Sequence, residues 1–422
     1  MTRLINRLVL VEQGEWPRLA ISFSYFFFLL GGYFMLRPLR GTVAAYNSDV
    51  LHWLYTATFA TMLVIVPVFG FLVSRFRRGQ FIPAIYLFFA ANLLFFLLSF
   101  DGAATPIPIQ RAFYVWLSVF NLFVVSVFWS YMADVFKPGQ AQRLFGFIMA
   151  GGSIGAILGP RLTAGMAVES GEQGIMTISL VCLLIATLLA VVLGRYQSRT
   201  TQTAAQEQGE KIGGSVWQGA ISVFRSKYLL FACLMMLLHN LTSTFLYNGL
   251  AVFVNERIIG FNERTVFFAN VDFAVQVIAF SLQFFITSRL IATLGMARTL
   301  AGVPLILAAG FVLLGSTLSL VLFAATQVLQ RSMNYGILGP SKEMLFTVVD
   351  REIKYKSKNF IDTAVYRGSD VAASWIFRGL TSSGLGLGQI AFAFVPLLGF
   401  WAWAAWRLGS LYQGMLVREQ QE

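Results

Sequence analysis

The 422-residue chain is poor in the residues that most protein chemistry uses: two cysteines, two histidines, and only 12% charged side chains. Cys182 and Cys233 both fall inside apolar runs, so neither a disulfide framework nor a cysteine metal centre is supported. His239 stands beside Asn240 with no second ligand in sequence, so no metal site is read. It serves as a helix-packing hydrogen bonder or as a proton relay. No Gly-Lys-Ser/Thr phosphate loop follows a strand pattern. Gly151, Gly155 and Gly159 instead recur every four residues in an apolar run, which is a helix-packing signature and not an ATPase one. Neither an enzyme activity nor a cofactor is therefore expected. Acids are scarce too, 19 against 31 bases for a formal net charge of +12. The bases are scattered over short loops and not gathered on one foldable domain, which argues against nucleic acid as a partner.

What the chain has in abundance is oil, 57% hydrophobic and 15% aromatic with 41 Phe. Windows about 20 residues long without a charge are long enough to cross a bilayer. Twelve such spans are expected: 16–39, 50–73, 81–100, 114–135, 144–164, 175–193, 228–254, 266–286, 299–314, 318–338, 360–380 and 390–406. The first is longer than a secretory leader and lacks a small-residue cleavage site, so it is expected to remain as a helix. Residues 195–217, polar and rich in Gln, Thr and Gly, read as a cytoplasmic linker between an N-terminal half, 1–194, and a C-terminal half, 218–422. Arg3, Arg7, Arg75, Arg77, Arg78, Arg195, Arg199, Lys211, Arg225, Lys227, Arg351, Lys354, Lys356 and Lys358 lie on the side that the positive-inside rule makes cytoplasmic. The opposite loops hold chiefly Arg111, Arg257 and Arg264. The expectation is a multi-pass protein of the bacterial inner membrane with both termini in the cytoplasm.

Two patterns recur across the linker. Gly70 to Arg78 after the second span is echoed by Ser288, Arg289, Leu290, Gly295 and Arg298 after the eighth. Asp134, Arg143, Leu144, Phe145, Gly152 and Ser153 are echoed by Asp350, Lys358, Asn359, Phe360, Gly368 and Ser369. An all-α integral membrane fold of twelve helices in two six-helix repeats resembles the major facilitator architecture, whose substrate site lies near the midplane between the halves. The first loop is similar to that superfamily's Gly-x-x-x-Asp-Arg-x-Gly-Arg-Arg motif, with Ser74 in place of Asp.

A charge inside a span costs roughly 2.5 to 3.5 kcal/mol on insertion scales, so each one needs a partner or a wet cavity. Arg37 and Arg40 flank Pro38 three positions apart on one helix face, a pair suited to phosphate or carboxylate, unless both snorkel to headgroups. Gln327, Gln330, Arg331 and Asn334 form one polar stripe on span 10. Asp272, Gln276 and Gln283 form another on span 8. Asp272 is expected to bridge to Arg331, or else to titrate as a coupling acid. Span 11 carries Asp362, Tyr366, Arg367 and Asp370, of which Arg367 and Asp370 are spaced to neutralise each other. Asp134 completes the set of coupling or structural charges.

Three stretches resemble the ATP/ADP translocase family of nucleotide transporters of plastids and intracellular bacteria, with the chain a shorter bacterial relative. They are Tyr33-Phe34-Met35-Leu36-Arg37-Pro38-Leu39-Arg40; Phe128-Trp129 through Asp134 to Arg143-Leu144-Phe145-Gly146; and Gly339-Pro340-Ser341-Lys342-Glu343-Met344 followed by Lys356-Ser357-Lys358-Asn359-Phe360-Ile361-Asp362 and Arg367-Gly368. Arg40 stands where a functional lysine is usual. The resemblance implies that Arg40 and Lys342 bind phosphate, whereas hydropathy alone makes Lys342 a surface lysine just past span 10. Arg37, Arg40, Arg331, Lys342, Asn334 and Arg367 are the candidate substrate ligands.

The expected function is secondary active transport, by alternating access, of a small anionic, phosphorylated, nucleotide-like solute, with protons or a counter-substrate as coupling partner. A proton-coupled exporter of a neutral or cationic compound, using Asp272, is the alternative. A receptor of the same fold that does not transport is a third reading.

Overall fold

The structure, a computed structural model, describes residues 11–419 except 13, 76–77, 201–220, 222, 350–352, 354–356, 358–360 and 362–364. Asp362, Arg77, Lys354, Lys356, Lys358 and most of the expected linker lie outside the described residues.

Every regular element among the described residues is helical. In chain order they are α1 (Trp16–Tyr46), α2 (Leu51–Arg75), α3 (Arg78–Ser99), α4 (Ile107–Val135), α5 (Pro138–Glu169), α6 (Gly171–Thr200), α7 (Lys227–Arg257), α8 (Phe261–Ser281), α9 (Thr287–Ser316), α10 (Leu320–Met333), α11 (Gly339–Leu345), α12 (Tyr366–Ser382) and α13 (Leu387–Glu419). Among the described residues, nine helical stretches are long and apolar enough to cross a membrane. One of them, Phe261–Ser316, runs for 56 residues and is long enough for two crossings. Large apolar side chains such as Phe88, Leu98, Phe285 and Val321 stand more than half exposed, as hydrocarbon-facing positions do and as a water-facing surface seldom does.

Local chemistry sets several boundaries. Pro138 opens α5, where its missing N–H is no loss, and the Gln140 side chain accepts from the Lys137 N–H at 3.1 Å. Ser319 caps α10 by accepting from the Leu322 N–H at 3.2 Å. Between spans 8 and 9 the hydropathy pattern leaves a gap at 287–298. The helix in fact continues through a π-helical turn, Leu282–Ile286, and breaks only at Gly295, whose φ of 77° lies in the region glycine favours.

The chain forms two compact units, and neither is contiguous in sequence. The first comprises Met1–Asn47, Ala60–Glu207 and Ile258–Phe273; the second comprises Ser48–Phe59, Gln208–Arg257 and Ala274–Glu422. In the first, α1 packs on α4, α5 and α6. Gly151, Gly155 and Gly159 of α5 lie so close to α1 that an added Cβ would stand 2.5 Å from Phe23 O, 2.3 Å from Phe27 O and 2.7 Å from Gly31 O. Lipid is as apolar as leucine, so such close backbone contact supplies the dispersion that holds membrane helices together. In the second unit α7 packs on α10, α12 and α13, with Phe245 stacked on Phe394 at 4.7 Å.

Candidate functional site

The first unit holds the two arginines of α1. Arg40 lies over the ring of Tyr114, its guanidinium carbon 4.0 Å from the centroid. Arg37 points to Asp272, with Nε 3.9 Å from Oδ2 and side-chain exposures of 19% and 6%. Besides the bridge to Arg331 expected from the sequence, which stays a proposal, Asp272 has an ion pair with Arg37. The physical reason is the approach of residues 258–273 to α1. Gly41 leaves room for the Phe268 ring, and Thr42 and Thr265 hydrogen-bond through their hydroxyls at 2.9 Å. Arg264 then stacks over Tyr46 at 4.1 Å and donates to Ile258 O at 2.6 Å. The small residues Gly41 and Thr42 one turn beyond Arg37 were the available sequence signal.

The second unit contains a cavity of about 280 Å³ lined by Met235, Met236, His239, Asn240, Asn334, Tyr335, Leu338, Gly339, Lys342 and Tyr366. Five residues singled out in the sequence thus line one cavity: His239, Asn240, Asn334, Lys342 and Tyr366. They converge because α10 does not stop at 338. It passes through a π-helical turn, Asn334–Leu338, into α11, so Lys342 is carried on a continuing helix and is half-buried. A π turn adds a residue to the repeat and re-aims the side chains beyond it. This one lies beside the π turn of Leu282–Ile286, since an added Cβ on Gly336 would meet Leu282 Cβ at 2.6 Å. Thr287 Oγ1 reaches Gly336 O at 2.6 Å.

Asn240, not His239, makes the helix-packing hydrogen bonds, donating to Tyr366 O at 2.9 Å and to Ser369 Oγ at 2.8 Å. His239 packs edge-on to Trp401 at 5.6 Å, and its Nδ1 is buried without a hydrogen-bond partner. On α10, Gln327 and Gln330 are buried, each with amide atoms that lack a partner, while Arg331 is half-buried and is not among the cavity's lining residues. Arg367 and Asp370 form the ion pair that their spacing suggests, at 3.8 Å. Asp134 is exposed near the end of α4. Sequence reasoning missed Tyr335 and the two methionines, which read as ordinary apolar positions.

One ammonium beside an imidazole, two amides and two tyrosines can bind an anion that also carries a polar or planar part. The family profile of the Major Facilitator Superfamily matches residues 19–341. The chain belongs to this superfamily. As a major facilitator it is a multi-pass membrane transporter and not an enzyme. Its fold is similar to that of the POT family transporter PepTSo, with a TM-score of 0.64 at 11% identity over 94% of this chain and 98% of the other. It is also similar to that of a bacterial homologue of the human lysosomal transporter Spinster, with a TM-score of 0.57 at 13% identity over 96% and 94%. In sequence this major facilitator is 21% identical to ADP,ATP carrier protein 1 of Chlamydia trachomatis, over 74% of this chain and 66% of the carrier. Against the protein of the same name from Chlamydia pneumoniae it is also 21% identical, over 74% and 69%. The match thus spans about two thirds of the length of these relatives, and they agree with the translocase-like motifs of α1 and α11.

A third polar cluster lies at the start of α1. Arg143 donates to both carboxylate oxygens of Glu15, at 3.1 and 3.3 Å, and pairs with Glu12 at 3.0 Å. Glu15 also accepts from Gln140 Nε2 at 2.7 Å and from the Glu12 N–H at 2.9 Å. Burial pushes the Glu15 carboxyl up, but these hydrogen bonds and the Arg143 charge outweigh it and hold the group below its ordinary 4.5. A depressed carboxyl contributes stability above its unfolded pKa and loses it as pH falls through the folded value. Glu15→Gln is therefore expected to lower the thermal midpoint in detergent at neutral pH, with the gap to the parent closing in acid. A gap that is constant with pH would contradict this.

Proposed function

We infer that this major facilitator is a secondary active transporter of a small anionic, phosphorylated solute of nucleotide-like chemistry. It works by alternating access between two six-helix halves joined through residues 195–217. The observation that carries the reading is the cavity beside Lys342, where a cation half-buried in an apolar helix bundle faces imidazole, amide and phenol groups. A solvated surface lysine would not need such neighbours. The Chlamydia relatives, called ADP,ATP carriers, support nucleotides as the first compounds to try and exchange against an internal counter-substrate as the first mode. Arg40 and Arg331 are proposed as further anion ligands, with Asn334 and Arg367 orienting the solute. The distribution of arginine and lysine supports an inner-membrane location with both termini cytoplasmic.

Vesicles preloaded with ADP are expected to take up labelled ADP or ATP faster than empty ones. Lys342→Gln should weaken apparent affinity by about tenfold or more, the worth of one charge-assisted hydrogen bond, while Lys342→Arg retains part of it. Uptake of a neutral solute that ignores internal nucleotide and is unchanged in Lys342→Gln would sink the anion reading.

A further inference from the structure

The second unit has another polar cavity, of about 230 Å³, with walls drawn from the 3₁₀ turn Ser48–Val50, the start of α2, α7 and α12. None of the residues assigned above to substrate lines it. Its polar lining includes Ser48, Asp49, His52, Asn248, Ser374 and Arg378. Asn248 is 1% exposed; its Nδ2 donates to Ser374 Oγ at 3.1 Å and its Oδ1 has no partner. An unanswered buried amide atom costs about 1–3 kcal/mol. Asp49 and Arg378, both exposed, bring opposite charges to this one cavity, and neither forms an ion pair within 4 Å among the described residues.

We propose that this cavity binds a small zwitterion, an ammonium joined by a short chain to a phosphate or carboxylate. Asp49 holds the ammonium; Arg378 and the serine hydroxyls hold the anion. The volume decides the size class. At about 30 Å³ per water it holds the equivalent of seven or eight waters, enough for an amino acid or a phosphoethanolamine group. The surroundings favour a lipid headgroup as the source. His52 packs edge-on to Trp375 at 4.5 Å, and Trp53 lies 5.0 Å from the same ring. Trp53 is 57% and Trp375 40% exposed, and Trp375 donates to Thr56 Oγ1 at 3.1 Å. Trp53 is exposed within the first turn of α2, the helix-end position at which tryptophans sit at headgroup level.

The test is a titration of the purified full-length protein in detergent, read by thermal midpoint. The probes are dihexanoyl phosphatidylethanolamine, dihexanoyl phosphatidylglycerol, phosphoethanolamine and alanine. Phosphatidylethanolamine is expected to raise the midpoint saturably and phosphatidylglycerol, which lacks the ammonium, to leave it unchanged. Arg378→Gln and Asp49→Asn, both at exposed positions that folding tolerates, should each weaken binding about tenfold or more. Free phosphoethanolamine or alanine binding as tightly as the lipid would keep the zwitterion site and assign it to a soluble ligand. Equal protection by phosphatidylglycerol, no protection by any probe, or unchanged affinity in both variants would overturn the proposal. Nucleotide uptake through the Lys342 cavity is read separately, so failure of one reading leaves the other standing.

Discussion

Asp272→Asn should destabilise the protein by about 3 kcal/mol, and Arg37→Gln by a similar amount, measured by unfolding in detergent micelles. Removing one member of a buried pair leaves the other's charge uncompensated, which typically costs about 3–5 kcal/mol. The low end applies here, because 19% of the Arg37 side chain remains accessible and the closest approach is 3.9 Å. The double variant should recover most of the loss, since both charges then leave together. The same variants decide how Asp272 serves transport. A structural bridge makes Asp272→Asn defective to the same degree across the pH range, whereas a coupling acid makes the defect pH-dependent. Additive losses in the double variant would mean that Arg37 and Asp272 do not act as a pair.

The second large effect is expected at Gly155. Its added Cβ would lie 2.3 Å from Phe27 O and 2.9 Å from Gly31 N, and both are backbone atoms that cannot swing aside as a side-chain tip can. In Gly155→Ala, α1 and α5 must therefore separate, and the dispersion lost along the seam plus strain should amount to about 1–3 kcal/mol. Gly155→Leu should abolish folding. Gly146 and Gly165 lie on the same helix with nothing within 4 Å of an added Cβ. Their alanine variants should be neutral or gain roughly 0.5–1 kcal/mol from the better helix former. If Gly155→Ala unfolds at the same temperature as Gly146→Ala, the close seam is not what holds α1 to α5.

The glycine stripe on α5 was readable in the sequence because a four-residue period is a property of one helix, and helical periodicity is local. The spans were readable for the same reason, as uncharged runs of the length a bilayer demands. The pairing of Asp272 with Arg37 was not, since four span arginines offered themselves and no pattern along one helix says which other helix lies beside it. The position of Lys342 was hidden differently. Hydropathy ends span 10 where the sequence turns polar, but the backbone stays helical through Asn334–Leu338 into α11. A π turn has no composition of its own, so its re-aiming of Lys342 and Asn334 toward His239 could be seen only in three dimensions.

The non-contiguous make-up of the first unit has a consequence for biosynthesis. Thr42 waits for a hydrogen-bond partner 223 positions further along the chain, and Arg37 for a carboxylate only slightly beyond it. At about 5–20 residues per second, roughly 10–45 s pass between synthesis of the two segments. During that interval α1 sits in the membrane without the Asp272 carboxylate and with an open seam along Gly41 and Thr42. The nascent first half is therefore an unfinished object, whose α1 seam closes only when residues 258–273 arrive.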